Sequence, residues 1–395
     1  MRCLTTLLFL NCLTAHAETP YIAVIEKVAG AVGFFDDGGR QLAQVKVGAF
    51  PHEAALSPDG KLLYVSVNGV LWMTEDKLGA NSIAVVDTQS MRLVRTIDLG
   101  RFHRPHGIAI LPGTSQLLAT TERPFGLILV DPAASKVVRD FDVQGKSPHM
   151  VMPSADGHWA FVSNTDSNSV AVIELSTGKT KLIPTGAHPQ GGVYSQDGSR
   201  LYVTTADANQ IAVIDVAKQI VVSTIDTGKG PGRVALTPDG KTLIYNLQLG
   251  EAVGFADIAS GKQTATIALS GRPLSLTLTR DGKRAFSGVQ DQDKVIFISV
   301  QARKIERVIQ LPKNTGPDPV IPLHEKQAEA GSPVQVCAKA TAFNCRIYDN
   351  TLADRNVQSI DLRCPATVNL ARPERSPTRT IYERLGNHPG WGHSY

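Results

Sequence analysis

The chain has 395 residues, 42% of them hydrophobic, with 40 Lys and Arg against 36 Asp and Glu and a formal net charge of +4. That length can bury a large core. So slight a charge, with no basic run interleaved with aromatics, excludes nucleic acid as an expected partner. None of the cysteines lies between Cys12 and Cys337, which excludes a disulfide scaffold for most of the chain.

In chain order, Met1-Arg2, an apolar stretch to Leu13 and the small-residue site Ala15-His16-Ala17 read as a secretory signal peptide over 1–17. The stretch is too short to span a bilayer. A mature protein starting near Glu18, periplasmic or secreted and without a transmembrane span, is the expectation. Three short apolar runs follow, starting at Tyr21, Ala31 and Gln41. From Pro51 a unit repeats six times, starting at Pro51, Pro105, Pro148, Pro189, Pro231 and Pro273. Each unit holds four short runs rich in β-branched and aromatic residues, bounded by Gly, Asp or Asn, which is a strand pattern with no helical period. The turn after the first run recurs as Ser57-Pro58-Asp59-Gly60, Ala155-Asp156-Gly157, Gln196-Asp197-Gly198, Thr237-Pro238-Asp239-Gly240 and Arg280-Asp281-Gly282; only the second unit departs, with Leu111-Pro112-Gly113-Thr114. Pro and Asp preset and cap such turns, and Gly takes the conformation a Cβ forbids.

Four strands at a period of about 40–45 residues mark a β-propeller with one blade per repeat. The runs at 21–47 align with strands two to four of a unit, and Gly316-Pro-Asp-Pro-Val-Ile-Pro-Leu323 aligns with a strand one. The expected fold is therefore all-β: a seven-bladed propeller over 18–323, closed by one C-terminal and three N-terminal strands, which removes the edges an open array would expose. Residues 324–395 lose the strand pattern, gain Arg and Pro, and carry Cys337, Cys345 and Cys364. A loosely ordered tail, a small appended element and an altered reading frame all stand open for them.

Leu63-Tyr64-Val65-Ser66, Leu201-Tyr202-Val203-Thr204, the Ser/Thr-Pro-Asp-Gly turns and the third strands Ile83 to Asp87 and Ile211 to Asp215 resemble the YVTN family of seven-bladed propellers over roughly residues 21 to 323. The resemblance implies the fold, and it leaves activity open, because that family mixes binding proteins with enzyme-like members. Pro105-His106-Gly107-Ile108 and Leu71-Trp72-Met73-Thr74-Glu75 resemble, over a few residues, virginiamycin B lyase, another seven-bladed propeller, which would imply His and a divalent metal in the chemistry.

A propeller fixes where a site lies. The first strand of each blade lines the central channel, and the residue after each repeat proline belongs to one ring at the channel mouth. That ring reads Asp318, His52, His106, His149, Gln190, Gly232, Leu274. Neighbouring positions add Glu53, Arg104, His188, Arg233 and Arg272. Loops on the same face add Trp72, Glu75, Asp76, Glu122 and Arg123, with Asp166 and Asp207 further round. Three imidazoles beside a carboxylate suit a divalent ion held by His52, His106 and His149, or acid–base work near neutral pH. They equally suit a rim residue inherited as the blades duplicated. The long run Asn68 to Asn81 falls between strands two and three of the first unit, over the same face, where an outgrown loop either binds or packs. No Cys-x-x-Cys-His occurs, so covalent haem is not expected. Gly228-Lys-Gly230-Pro-Gly232 opens no helix, and no Gly-x-Ser-x-Gly elbow appears. The expected function is binding of a small molecule or protein at the channel-mouth face by His52, Glu53, Trp72, Arg104, His106, Glu122, His149, His188, Arg233 and Asp318. A metal- or His-assisted lactonase or lyase is the alternative.

Overall fold

The computed structural model describes residues 19–323; the signal-peptide reading of 1–17 and the tail reading of 324–395 lie outside the described residues. Seven four-stranded antiparallel sheets form the ring of a β-propeller. Blades 1 to 6 occupy 51–98, 103–141, 148–184, 189–226, 231–268 and 273–310. Blade 7 joins Pro317–Pro322, as its innermost strand, to Ile22–Glu26, Ala31–Phe35 and Gln41–Lys46. Ile22 pairs with Pro322 and Val24 with Val320, so the ring closes as the sequence implies.

Burial follows radius. In blade 1 the strands Pro51–Leu56, Leu62–Val67 and Ser82–Asp87 are almost wholly buried, whereas the outer strand Arg92–Asp98 is mostly exposed. Inner strands are covered on both faces by neighbouring blades and can be apolar throughout, while outer strands meet water and alternate. Among the described residues, no helix is long and apolar enough to cross a membrane.

The far ends of the blades are set by the Asp-Gly turns. Ser57 Oγ donates to Asp59 Oδ1 at 2.7 Å and accepts from the Leu62 N–H at 2.9 Å, and Gly60 takes φ +72°. Thr237 with Asp239, and Ser195 with Asp197, repeat this arrangement. Hydrogen bonds from the preceding hydroxyl, and then from a backbone N–H two residues on, hold these carboxyls below their ordinary 3.8, Asp197 at about 2. A depressed folded-state pKa contributes stability that is present above the unfolded value and lost as pH falls through the folded one. Melting temperature should therefore fall between about pH 4 and about pH 2, and less steeply in an Asp59→Asn, Asp197→Asn, Asp239→Asn variant. Thermal melts across that window check it, and equal slopes in both proteins would refute it.

At the other end, the inner strands of blades 1 to 5 carry a β-bulge, and that of blade 7 carries one between Pro317 and Val320. Register shifts between Pro51 and Ala54, Pro105 and Ile108, Pro148 and Val151, Pro189 and Gly192, and Pro231 and Val234. The two residues between are released from the ladder, as bulges do, and re-aimed. The residue before the repeat proline is left-handed in six blades: Phe50, Arg104, Ser147, His188, Gly230 and Gly316. Blade 6 differs. There Gly271 has the positive φ, the inner strand is only Thr277–Leu278, and Ser275 Oγ accepts from Gly288 N while its carbonyl accepts from Ser287 Oγ.

Candidate functional site

The bulges build the site. Their first residues include His52, His106 and His149 on three consecutive blades, with ring centroids 4.6 Å apart for the first pair and 4.3 Å for the second. Their backbones are fixed by the preceding blade: Ser66 Oγ donates to the His106 carbonyl and Thr120 Oγ1 to that of His149, each at 2.7 Å. Inner strands approach so closely here that a Cβ on Gly107 would lie 2.3 Å from the His149 carbonyl oxygen, which leaves room only for glycine.

All three imidazoles are buried. Burial, reinforced by Lys27 and His106, holds His52 well below its ordinary 6.5; burial, reinforced by His106 and Arg233, does the same for His149. Both are neutral at physiological pH. His52 Nε2 donates to the Val70 carbonyl at 2.9 Å. His106 Nδ1 lies 2.9 Å from Glu122 Oε1. Burial raises the Glu122 carboxyl, but the hydrogen bond and charge of His106, with Arg104 and Asn68, together bring it below its usual value.

Three buried ion pairs surround the imidazoles. Arg104 Nη2 meets Glu122 Oε2 at 2.7 Å, and Lys27 Nζ meets Asp318 Oδ2 at 3.3 Å. The third joins Arg233 to Glu53. Blades 5 and 1 are not neighbours in the ring, so this pair bridges the channel. Burial pushes the Glu53 carboxyl up, Arg233 opposes that, and Asp318 adds to the rise.

The long run of blade 1 occupies 68–81, between the strands Leu62–Val67 and Ser82–Asp87. Glu75 Oε1 accepts from the N–H groups of Leu71 and Trp72 at 2.8 and 3.0 Å, turning the chain at its tip. Arg104 then fastens the run from below: its guanidinium donates to the carbonyls of Met73 at 2.8 Å and Glu75 at 3.0 Å. Trp72 remains 43% exposed, with Lys27 Nζ 5.4 Å from its ring centroid. It reaches past blade 7 to help line a cleft of about 390 Å³ with Val28, Arg272, Leu274 and Gln290.

Of the residues singled out from sequence, His52, Glu53, His106, Glu122, His149, Arg233 and Asp318 lie together, buried, in the channel mouth, and Trp72 stands above them. Arg104 is buried beside them, paired with Glu122 and committed also to the loop, while His188 goes elsewhere, half-exposed with Nδ1 3.8 Å from Asp207 Oδ2. Asp76 pairs with Arg123 at 2.9 Å on the surface. Among the described residues, no group of three or more His, Cys, Asp or Glu side chains is placed to hold a metal ion; His52, His106 and His149 pack ring against ring. Sequence reasoning missed Lys27. It stands one residue past strand two of blade 7, the repeat position of Asn68 in blade 1 and Glu122 in blade 2, so a second ring read at that position finds it.

The chain is similar in fold to solved propeller-like structures. The periplasmic gluconolactonase PpgL of Pseudomonas aeruginosa superposes with a TM-score of 0.63 at 16% identity, over 78% of this chain and 100% of that one. A functionally unknown protein of Desulfotomaculum acetoxidans gives 0.65 at 14% identity, over 78% and 99%. Dihydro-heme d1 dehydrogenase NirN, in complex with DHE, gives 0.59 at 16% identity, over 80% and 78%. No family model and no curated protein matches the chain. At these identities the likeness carries the fold alone.

Proposed function

We propose that this protein is an extracytoplasmic propeller that binds a small molecule in the mouth of its central channel. The observation behind this reading is a cluster of buried polar atoms with no hydrogen-bond partner: His52 Nδ1, Glu53 Oε2, Asn68 Oδ1, His149 Nδ1 and Asp318 Oδ1. Unsatisfied buried groups cost about 1–3 kcal/mol each, and several in one place mark a position for an occupant. These atoms lie below the rim, out of reach of a flat protein surface, which favours a small ligand over a macromolecule. The extracytoplasmic placement rests on the leader-like residues 1–17 and on the periplasmic location of the gluconolactonase neighbour.

A thermal-shift screen of the full chain against a metabolite library tests the reading. A ligand at about a hundred times its Kd adds about 2.7 kcal/mol to native-state stability, so a clear rise in melting temperature is expected. That rise should vanish in a His52→Ala, His149→Ala variant. A shift that survives in the variant would place the ligand elsewhere and end the proposal.

One observation favours a second reading, a His-assisted lactonase. His106 is oriented by Glu122, which Arg104 and Asn68 hold in turn, and an imidazole positioned by a carboxylate is the arrangement of a general base. Here His106 would take a proton from water as it adds to the lactone carbonyl, and would return that proton to the ring oxygen as the C–O bond breaks and the oxygen leaves as the hydroxyl. Acid release from a panel of lactones in a pH-stat, lost in His106→Gln, would support it; no release above the buffer rate would remove it.

A further inference from the structure

Four of the unpartnered atoms at the channel mouth are acceptors. Because His52 donates from Nε2 to the Val70 carbonyl, its Nδ1 carries a lone pair in the neutral ring. Asn68 Nδ2 donates to the Pro105 carbonyl and to Glu122 Oε1, both at 3.3 Å. Both partners only accept, so the amide orientation is fixed and its free atom is the oxygen. Glu53 and Asp318 each give one oxygen to a cation and leave the other buried and unpaired. His149 Nδ1 is likewise buried without a partner, and burial holds the ring neutral, so one of its two nitrogens carries a lone pair. The nearby orphan donor, Arg104 Nε, belongs to the loop clasp, where the side chain runs beneath Gly79.

Charge narrows the choice further. Lys27, Arg104 and Arg233 each face a carboxylate. An anion entering the mouth finds no unpaired cation, and the orphan oxygens of Glu53, Asn68 and Asp318 would repel it. A metal ion would add positive charge beside Lys27 and Arg233, at a place where no three side chains form a cage. An uncharged ligand rich in hydroxyl groups meets neither obstacle, since each hydroxyl donates one hydrogen bond. Trp72, exposed above the Lys27–Asp318 pair, offers a flat apolar face of the kind that covers the C–H side of such a molecule.

We infer that the ligand of this site is an uncharged polyhydroxylated molecule, carbohydrate-like, whose hydroxyls donate to Asp318, His52, Glu53 and Asn68 and bond to His149 while its apolar side lies against Trp72. The inference rests on the channel mouth being a small-molecule site. Isothermal titration of the full chain with myo-inositol, methyl glucoside, gluconate and Zn²⁺ tests it. Saturable binding of a neutral polyol is expected, several-fold weaker in Trp72→Ala and lost in His149→Phe, a change that keeps a ring of similar size. Circular dichroism and melting of each variant without ligand separate lost binding from lost fold. If His149→Phe misfolds, the surface change Trp72→Ala decides alone. Binding of gluconate or Zn²⁺ in place of the polyols, with the same variant dependence, overturns this inference and leaves the site a ligand site. Polyol binding that neither variant alters overturns it as well. Failure of all four probes overturns this inference, and the small-molecule reading is then decided by the metabolite-library screen.

Discussion

Deletion of everything after Lys313 should leave no folded protein, whereas deletion of everything after Glu325 should leave all seven blades intact. The first truncation removes Pro317–Pro322, the innermost strand of blade 7, and with it the fully buried Val320 and Ile321. It strips Ile22–Glu26 of its inner partner and exposes two adjoining apolar clusters, one holding Ile321 and the other Val320. A domain is stable by only about 5–15 kcal/mol in total, and an inner strand contributes on that scale. Ile321→Asp, which places a carboxylate in the same core, should reproduce most of the loss at about 4 kcal/mol or more. Soluble yield, circular dichroism and urea unfolding of the two truncations and the point variant decide the matter. A cooperative urea transition in the shorter protein would show that six blades close without the seventh.

Arg233→Ala should lower stability by about 3–5 kcal/mol, a typical cost of removing one partner of a buried ion pair. Glu53 would then be left in the channel without its counter-charge, although it already bears a burial penalty that raises its pKa. The double change Glu53→Leu, Arg233→Met should recover most of the loss, because neither charge is then buried unpaired. pH separates this pair from the turn aspartates. A carboxyl with a raised folded-state pKa favours the native state below the unfolded value of 4.5, and that contribution is lost as pH rises through the folded value. In Arg233→Ala the rise is larger, so the variant should lose most stability relative to wild type above about pH 5 and approach it in acid. Urea midpoints at pH 4 and pH 7 measure this. Equal differences at both pH values would mean that Glu53 does not depend on Arg233.

The propeller was legible because its determinants are local and repeated. Pro at the head of each unit, Asp-Gly at its first turn and short β-branched runs between them act within a few residues, so each copy announces itself. Closure was legible for the same reason: Gly316 to Leu323 carries the head of a unit, and 21–47 carries the rest. The ring of first bulge residues also followed from repeat position, and the structure brings His52, His106 and His149 together there. What stayed hidden is radial and conformational. Repeat position gives the blade a residue belongs to, and it does not say how far a long side chain reaches, so the pairing of Arg233 with Glu53 across the axis left no trace in the pattern. Nor does a residue type report its own φ. Arg104 and His188 share a left-handed backbone beside the ring, φ +56° and +62°, yet Arg104 is buried against Glu122 while His188 is half-exposed. The short inner strand of blade 6 is also unmarked: Ser275 Oγ there accepts from the Gly288 N–H, a side-chain contact that a strand pattern does not display.

Joining the two ends of the described chain in one sheet also dictates an order of events during synthesis. Ile22–Glu26 is among the first strands made, and its inner partner, Pro317–Pro322, is the last. Until some three hundred residues have emerged, that early edge has no native neighbour on its inner side, and each completed blade waits beside it as an open stack. Contacts so distant along the chain form slowly, and unpaired strand edges invite association with other chains. A nascent propeller of this kind needs its edge shielded until the final strand arrives, so a stalled or prematurely ended chain is an aggregation hazard even with six of its seven blades complete.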